Sequence, residues 1–416
     1  MYLLQNKFQD YFLYAYFFLI NYEAFDPLGS GGSFSISKLM GILYLISIFT
    51  SPRIFTKLHI HTLKYVWPKV ILIFWITLVS LINFNETSTR FYELAVILNL
   101  FIFLSIINHS LRREDLLDKC LFFFVIGSIS VSVLFFFNIG VNEDAGGRAQ
   151  FFDSELNELS IKLAASFLII ISYFLNDNLK LGKIRFILLI FIPFLLLAIS
   201  RSGSRTALIL LVMVILFLVL LWAINSRNKV FSYLVGFSFS FIFVGGVFFA
   251  INTLQESSVL LERVALTGTE LDTGDGNGRF FLWAGFVSII FNYNENLLFG
   301  NGLSGFDRLC YEFFGFTESP HNVFLEVIIY TGIFGLILYS LFISKIFYTA
   351  VYLYRHNKDF LGVVLIPVAL TFIFALQGMS EKICWLIFAY IISKSIVYNN
   401  NKSLANASNN LSSTKS

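Results

Sequence analysis

Long uninterrupted runs of apolar residues, separated by short polar connections, form the main pattern of this chain. A helix of about 20 apolar residues crosses the ~30 Å hydrocarbon core of a bilayer. The runs are continuous rather than alternating, so they predict helices and not the strands of a barrel. The pattern therefore predicts an all-α polytopic membrane protein with about twelve transmembrane helices. They lie near residues 9–23, 35–51, 65–84, 91–108, 117–138, 158–175, 184–199, 205–225, 230–251, 323–344, 360–377 and 383–398.

Composition supports this prediction. Of the 416 residues, 57% are hydrophobic and 13% are charged, and the mean hydropathy is +0.77. Soluble domains carry about 25% charged residues. The three cysteines, Cys120, Cys310 and Cys384, are scattered and indicate neither a disulfide nor a zinc site. We interpret the first apolar run as a retained helix rather than a removable signal, since no small-residue cleavage pattern follows it.

The membrane domain is predicted over residues 1–398. The remaining segment, 399–416, reads "NNNKSLANASNNLSSTKS" and is polar and low in complexity. Such a composition predicts a disordered tail.

Lysine and arginine residues cluster in alternate connections, which sets the predicted orientation. With the N-terminus inside, most basic connections are cytoplasmic, and twelve spans place both termini there. The outer side then carries a large loop at 252–322 between the ninth and tenth helices. A shorter loop at 139–157 and the tight connection from Arg201 to Arg205 lie on the same side.

Several arginines fall on this outer side, where positive charge is usually depleted. They include Arg148, Arg201, Arg205 and Arg279. The planar guanidinium binds phosphate or carboxylate through two hydrogen bonds and stays charged. The arginines therefore indicate an outer site for an anionic, phosphate-bearing ligand. The alternative is that Arg201 and Arg205 extend to lipid headgroups.

The segment "SPHNVFLEV" contains His321, the only histidine predicted on the outer side. Histidine titrates near neutral pH and is the usual general base for activating a hydroxyl. Asn322 is its neighbour, and Glu326, about one turn later, is predicted within reach to orient the imidazole. The alternative is that His321 is an interfacial residue that caps a helix.

The segment "GNGRFFLWAGF" predicts an amphipathic helix at the outer interface, with Arg279 and Trp283 one turn apart. "GNGLSG" is interpreted as a turn, because it lacks the Lys-Ser/Thr of a phosphate loop. Asp272 and Asp275 do not fit a calcium loop, so no metal site is predicted.

Four motifs together resemble the O-antigen ligase and O-antigen polymerase superfamily of bacterial inner membranes. They lie within about 146–340, in the family's order. They are "GGRAQFFDSELNELS", "GSRTALILL", "GNGRFFLWAGF" with "LLFGNGLSGF", and "PHNVFLEVIIYTGIFGLIL". In the first motif, the proline that usually precedes the asparagine is replaced, since Glu155 and Leu156 precede Asn157.

The resemblance implies a membrane-embedded glycosyltransferase that transfers glycan from undecaprenyl pyrophosphate at the periplasmic face, with no ATP, metal or other cofactor. Arg205 and Arg279 match the family's pyrophosphate-contacting arginines, and His321 matches its proposed base. Arg148, Asn157, Asn322, Glu326 and Trp283 are candidate substrate-binding residues. Arg201 is a further candidate with no firm counterpart in the family.

A polymerase is favoured over a ligase, because the large loop carries nine acidic residues against three arginines. A ligase must approach a phosphorylated lipid A–core, for which a cationic loop is expected. A transporter of lipid-linked sugar remains an alternative, although the chain shows no convincing internal repeat. The expected partners are the undecaprenyl-pyrophosphate-linked oligosaccharide and membrane lipid, with a chain-length regulator protein as a further candidate. No nucleic-acid partner is expected.

Overall fold

Helices make up nearly all of the chain that the computed structural model describes. The described residues are 2–27, 35–49, 60–82, 89–113, 115–143, 147–152, 154–175, 181–225, 245, 279–293, 296–376 and 379–413. The predicted ninth helix, apart from residue 245, lies outside them. So do residues 252–278 of the predicted large loop.

The helices and strands that the structure describes occur in the following chain order. They are α1 (Tyr2–Leu19), α2 (Ile36–Phe49), α3 (Ile60–Ile82), α4 (Thr89–Ser110), α5 (Leu116–Phe136), β1 (Val141–Glu143), β2 (Ala149–Phe151), α6 (Leu156–Leu175), α7 (Ile184–Leu189), α8 (Ile192–Arg201), α9 (Arg205–Asn225), α10 (Arg279–Ser288), α11 (Gly302–Phe314), α12 (Val323–Asn357), α13 (Phe360–Ala375) and α14 (Lys382–Ser413).

The prediction of an all-α polytopic membrane protein is confirmed. Six helical segments in the described ranges are long and apolar enough to cross a membrane. They are Thr62–Ile82, Leu116–Phe136, Leu156–Phe174, Ile184–Arg201, Val323–Asn357 and Lys382–Ser403. Shorter apolar helices account for most of the other predicted spans. The predicted seventh span is divided into α7 and α8, and Pro193 stands in the first turn of α8.

α6 is the central helix of the bundle, and it packs against α5, α8, α9 and α13. Its middle is buried on nearly every side, as Ala164, Phe167 and Ile169 show. Small residues such as Ala164 and Ala165 allow neighbouring backbones to approach closely, which favours helix packing in a membrane.

Ion pairs between helix ends define the two ends of the bundle. At one end, Lys162 near the start of α6 and Lys382 at the start of α14 both contact Glu23, which follows α1. At the other end, Lys394 of α14 contacts Asp118 near the start of α5. We call these the Glu23 end and the Asp118 end. Since α1 ends where α6 and α14 begin, α1 runs in the opposite direction to α6 and α14.

A small hairpin lies within the predicted 139–157 loop. β1 and β2 are antiparallel, and Asn142 pairs with Gln150. The ring of Phe151 is buried and lies 6.0 Å from the ring of Phe135 at the end of α5. This contact anchors the hairpin to the bundle and fixes the position of Arg148 beside the Glu23 end.

α12 is interrupted at Gly332, which has a φ of 67° and a ψ of −168°. The segment preceding α11 satisfies the freed backbone groups. Asn301 N–H donates to the Ile329 carbonyl, and Ile333 N–H donates to the Leu297 carbonyl, at 3.0 and 2.9 Å. Irregular backbone within a membrane helix is tolerated where protein groups satisfy it in this way.

The segment from Gly300 to Gly305 differs from its prediction as a turn. "GNGLSG" contains a turn at Gly300, but α11 begins within it at Gly302 and continues to Phe314. Glycine is required at this turn because a Cβ on Gly300 would collide with the backbone of Thr331. α11 itself was not predicted, since its apolar residues are interrupted by polar ones along the sequence.

The structure corrects the predicted disordered tail. α14 does not end near residue 398 but continues to Ser413. No proline or glycine occurs between Asn399 and Ser413. Extending a helix that has already formed is far easier than starting one, so polar residues there can continue it.

Candidate functional site

The tight connection between α8 and α9 is formed by Ser202, Gly203 and Ser204. Gly203 has a φ of 63°, a left-handed conformation that favours glycine. The hydroxyls of Ser160 and Ser202 lie 2.6 Å apart, and Ser204 Oγ donates to Asn157 Oδ1 at 3.0 Å. Both contacts hold the connection against the first turns of α6. They fix the start of α9, whose first residue is Arg205.

Two of the predicted arginines support this connection. Arg148 Nε donates to the Ser202 carbonyl at 3.0 Å. Arg201 donates a 2.7 Å hydrogen bond to the carbonyl of Phe135, in the last turn of α5. A cation is favourable at a helix C-terminus, so Arg201 has a structural role there. The structure thus brings Arg148, Arg201, Arg205 and Asn157 into one group.

Asn157 is held from both sides. Its Nδ2 donates to Glu155 Oε1 at 3.2 Å, while its Oδ1 accepts the Ser204 hydroxyl. Since Asn157 is in the first turn of α6 and Ser204 directly precedes Arg205, the two predicted motifs meet here. Asn157 and Ser204 are 47 positions apart in sequence, and only the packing of α6 on α9 joins them.

The second group surrounds the start of α12. Asn322 is the N-cap, and its Oδ1 accepts the N–H groups of Phe324 and Leu325 at 3.0 and 3.4 Å. The capping role considered for His321 therefore belongs to Asn322. His321 is in the left-handed region, with a φ of 47°. A residue other than glycine seldom adopts this conformation, and such strain is common at functional sites.

Hydrogen bonds hold the segment that contains His321. Ser319 Oγ donates to Glu326 Oε1 at 2.8 Å and accepts the backbone N–H of His321 at 3.1 Å. Glu326 is therefore linked to His321 through Ser319. The Nε2 atom of the imidazole lies 3.8 Å from Glu318 Oε1, an ion-pair distance. Glu326 is only 1% exposed, whereas His321 is partly accessible.

Trp283 joins α10 to this segment. Its indole N–H donates to the Pro320 carbonyl at 2.7 Å. Arg279 is the first residue of α10, one turn before Trp283. The hydrogen bond places the start of that helix beside the His321 segment, while the side chain of Arg279 lies outside the described part. Helix formation over Arg279–Ser288 agrees with the predicted amphipathic helix.

α13 lies between the two groups of residues. It packs against α6 and α9 on one side and against α12 on the other. Its end is near the start of α12, where the rings of Phe374 and Phe324 are 5.4 Å apart. Both groups therefore lie at the Glu23 end of the bundle.

A buried charge network lies directly beside the first group. Lys162 Nζ contacts Glu158 and donates to Glu23 Oε2 at 2.9 Å, and it is 2% exposed. Lys382 contacts Glu23 and donates to Ser37 Oγ at 2.8 Å. The network joins the end of α1 with the starts of α2, α6 and α14.

The lysines determine the charge of Glu23. Its withdrawal from water raises the pKa of the carboxyl, but Lys162 and Lys382 outweigh this effect and lower the pKa below its ordinary value of 4.5. Carboxylate oxygens of Glu23, Glu158 and Glu381 lie within 4.8 Å of one another, a spacing that suits a metal ion. The two ammonium groups already supply the positive charge that a metal would bring.

This network lies outside the site residues predicted from the sequence. The i, i+4 spacing of Glu158 and Lys162 is a signal that is visible in the sequence. The contact of Lys382 with Glu23 spans 359 positions, and no local pattern indicates it.

Residues 188–340 match the family described as O-antigen ligase. The matched region begins in α7 and continues through Arg205, Arg279 and His321 into α12. No curated protein matches the chain. This match supports the resemblance of the chain to the O-antigen ligase and polymerase superfamily.

Proposed function

We propose that this protein is a surface-polysaccharide polymerase that elongates an O-antigen or a related glycan. In this proposal, glycan passes from undecaprenyl pyrophosphate to a sugar hydroxyl of another lipid-linked repeat, without ATP or a metal ion. The family match over residues 188–340 supports a glycosyltransferase-type enzyme in O-antigen or surface-glycan assembly. The observation that carries the proposal is that Arg205, Arg279 and His321 lie in the matched region, at or beside helix starts.

Arg205 and Arg279 are assigned to the pyrophosphate. When the bond between the anomeric carbon and the pyrophosphate oxygen breaks, negative charge accumulates on the leaving group. Fixed guanidinium groups stabilise that charge and need little rearrangement during the reaction. Each arginine is the first residue of its helix. The N–H groups at a helix start favour a bound phosphate as well.

His321 is assigned as the general base. The acceptor hydroxyl attacks the anomeric carbon, its proton passes to the imidazole, and undecaprenyl pyrophosphate departs. Ser319 and Asn322 hold the backbone on either side of the imidazole, through the hydrogen bonds to His321 N–H and to the first turn of α12. A base held in this way loses little freedom when it takes the proton.

The charge of the large loop supports a polymerase over a ligase. The sequence 252–322 carries nine acidic residues and three arginines. A loop of this charge repels the phosphorylated core that a ligase must approach. The acceptor of a polymerase is instead the non-reducing sugar of a lipid-linked repeat, which carries no such cluster of phosphates.

A deletion strain tests the proposal through its surface-glycan profile on a gel. Loss of a polymerase leaves one repeat unit on lipid A–core. Absence of any repeat, with lipid-linked polymer accumulating, would instead show a ligase. Lipid-linked repeats trapped on the cytoplasmic face would show a flippase. Either of the last two profiles overturns the polymerase assignment.

A further inference from the structure

We propose that a cleft at the Asp118 end of the bundle binds the headgroup of an anionic phospholipid. The cleft lies between α3, α12 and α14 and has a volume of about 400 Å³. It is at the opposite end of the bundle from the candidate active site. The proposal therefore does not depend on the proposed polymerase activity.

Positive charge in the cleft indicates an anionic ligand. Lys64 and Lys345 line it, and none of its lining residues in the described part of the chain carries a carboxylate. Lys345 Nζ donates to the Lys64 carbonyl at 3.0 Å and lies 4.9 Å from the ring centre of Trp67. These contacts hold the ammonium group in place, and an ammonium has three donors in all. The charge is thus positioned before a ligand arrives.

Contacts between the helices hold the walls of the cleft. The hydroxyls of Tyr65 and Ser395 lie 3.1 Å apart and join α3 to α14. Tyr352 of α12 donates to Asn399 Oδ1 at 3.3 Å and joins α12 to α14. Hydroxyl and amide groups therefore line the cleft together with the lysines, and they suit the oxygens of a phosphodiester.

The depth of the cleft in the bundle points to a lipid rather than a free ion. On α12 the lining extends from Leu341 to Tyr352. These residues follow Val323 by roughly 20 to 30 positions, which corresponds to about 30–45 Å along the helix. That length corresponds to one bilayer, so the cleft lies at headgroup level when Val323 is at the opposite surface. Tyr348 is 72% exposed there, as is typical of an aromatic residue at the membrane interface.

The surface beside the cleft can accommodate acyl chains. Leu341, which lines the cleft, and Ile337, about one turn before it, are exposed apolar residues near the middle of α12. A phosphodiester beside Lys64 and Lys345 would extend its chains along them. The positive-inside pattern predicts that the Asp118 end is cytoplasmic. Basic pockets between membrane helices on that side characteristically bind anionic headgroups.

The test uses the purified full-length protein in nanodiscs of phosphatidylcholine with a minor fraction of phosphatidylglycerol. Lipids retained by the protein are measured by native mass spectrometry after gentle extraction. The wild type should retain phosphatidylglycerol over phosphatidylcholine. The double variant Lys64→Gln/Lys345→Gln should lose about 30-fold of that preference, because each lysine near an anionic headgroup contributes about fivefold.

The matched control is Arg355→Gln/Lys358→Gln, which removes two charges at the end of α12 outside the cleft lining. It should retain the preference of the wild type. If the double lysine variant does not fold, Lys64→Gln alone should lose about fivefold, since this side chain is exposed. An unchanged preference in the folded lysine variants overturns the proposal. Displacement of phosphatidylglycerol by millimolar inorganic phosphate would show a free-anion site and overturns the lipid assignment.

Discussion

The hydroxyl of Ser319 donates a 2.8 Å hydrogen bond to Oε1 of the buried carboxyl of Glu326. The same hydroxyl accepts the backbone N–H of His321, which is in a left-handed conformation. Ser319 therefore connects a carboxyl inside α12 with the backbone of the proposed base. This relationship assigns Ser319 and Glu326 as positioning residues and suggests a direct test.

Ser319→Ala should lower the rate of polymerisation about 10-fold, because one hydrogen bond that fixes His321 is lost and Glu326 loses its donor. The effect should fall on kcat more than on KM, since Ser319 contacts the backbone of the base rather than the substrate. Polymerisation of purified lipid-linked repeats measures both constants. Ser319→Thr keeps the hydroxyl and should restore most of the rate. Equal kcat values for Ser319→Ala and the wild type would contradict this role.

Arg205→Ala should lower polymerisation at least about 100-fold, the usual effect of removing one group that stabilises developing negative charge. Arg279→Ala should have a similar effect. The amount of long-chain glycan per molecule of membrane protein measures both. Arg308→Ala is the matched control, because Arg308 is an exposed arginine of α11 that lies 3.9 Å from Glu312. If the Arg205→Ala variant makes long-chain glycan at the wild-type level, Arg205 does not stabilise the pyrophosphate.

Lys162→Met should destabilise the protein by about 3–5 kcal/mol, the usual cost of removing one partner from a buried ion pair. The substitution leaves the carboxylates of Glu23 and Glu158 without one of their cations. Thermal unfolding in detergent measures the loss as a lower Tm. Lys183→Met, at an exposed lysine that precedes α7, should leave the Tm unchanged. A Tm for Lys162→Met equal to that of the wild type would show that the network contributes no stability.

Gly332→Ala should destabilise the protein strongly, because the new Cβ would collide with the backbone of Leu298. The φ of 67° adds strain of about 1–2 kcal/mol. Gly315→Ala is a matched control with a φ of 77° and open space around the added Cβ. The decrease in Tm of Gly315→Ala should reflect the backbone strain alone. The difference between the two Tm values separates the collision from the strain. An equal decrease in Tm for both variants would rule out the close approach of the Gly332 and Leu298 backbones.

Glu381 predicts a dependence of stability on pH. Withdrawal from water, together with the nearby carboxyl of Glu158, raises the pKa of Glu381 well above its ordinary value of 4.5. Between these two values the folded state binds more protons than the unfolded state, so stability falls as pH rises above about 4.5. Glu381→Gln removes this titration. Its Tm advantage over the wild type should grow as the pH rises above about 5, and a constant difference would contradict the raised pKa.

Part of the candidate site could be predicted from local sequence. The starts of α9, α10 and α12 follow from polar or glycine-containing segments before apolar runs, and they place Arg205, Arg279 and His321 at or beside helix starts. The sequence does not show whether His321 or Asn322 caps α12, because both are polar residues directly before this helix. The backbone angles of the folded chain decided it in favour of Asn322.

Other features depend on contacts that no local pattern contains. Ser204 meets Asn157, and Lys382 meets Glu23, only because α6 packs beside α9 and the ends of α1, α6 and α14 come together. The interruption of α12 at Gly332 is another example. An apolar run that contains only Gly332 and Gly335 as glycines predicts a continuous helix. The break is stable only because the segment before α11 supplies hydrogen bonds.

The sequence by itself determined that this is a helical membrane protein, since each apolar run must satisfy its own backbone hydrogen bonds in lipid. It also contains the motifs that resemble those of the O-antigen ligase and polymerase superfamily. The tertiary structure alone decided which charged residues are neighbours and which arginines support helix ends. The physical reason is that burial and charge pairing depend on distances between helices, whereas helix formation in lipid depends on the residues within each run.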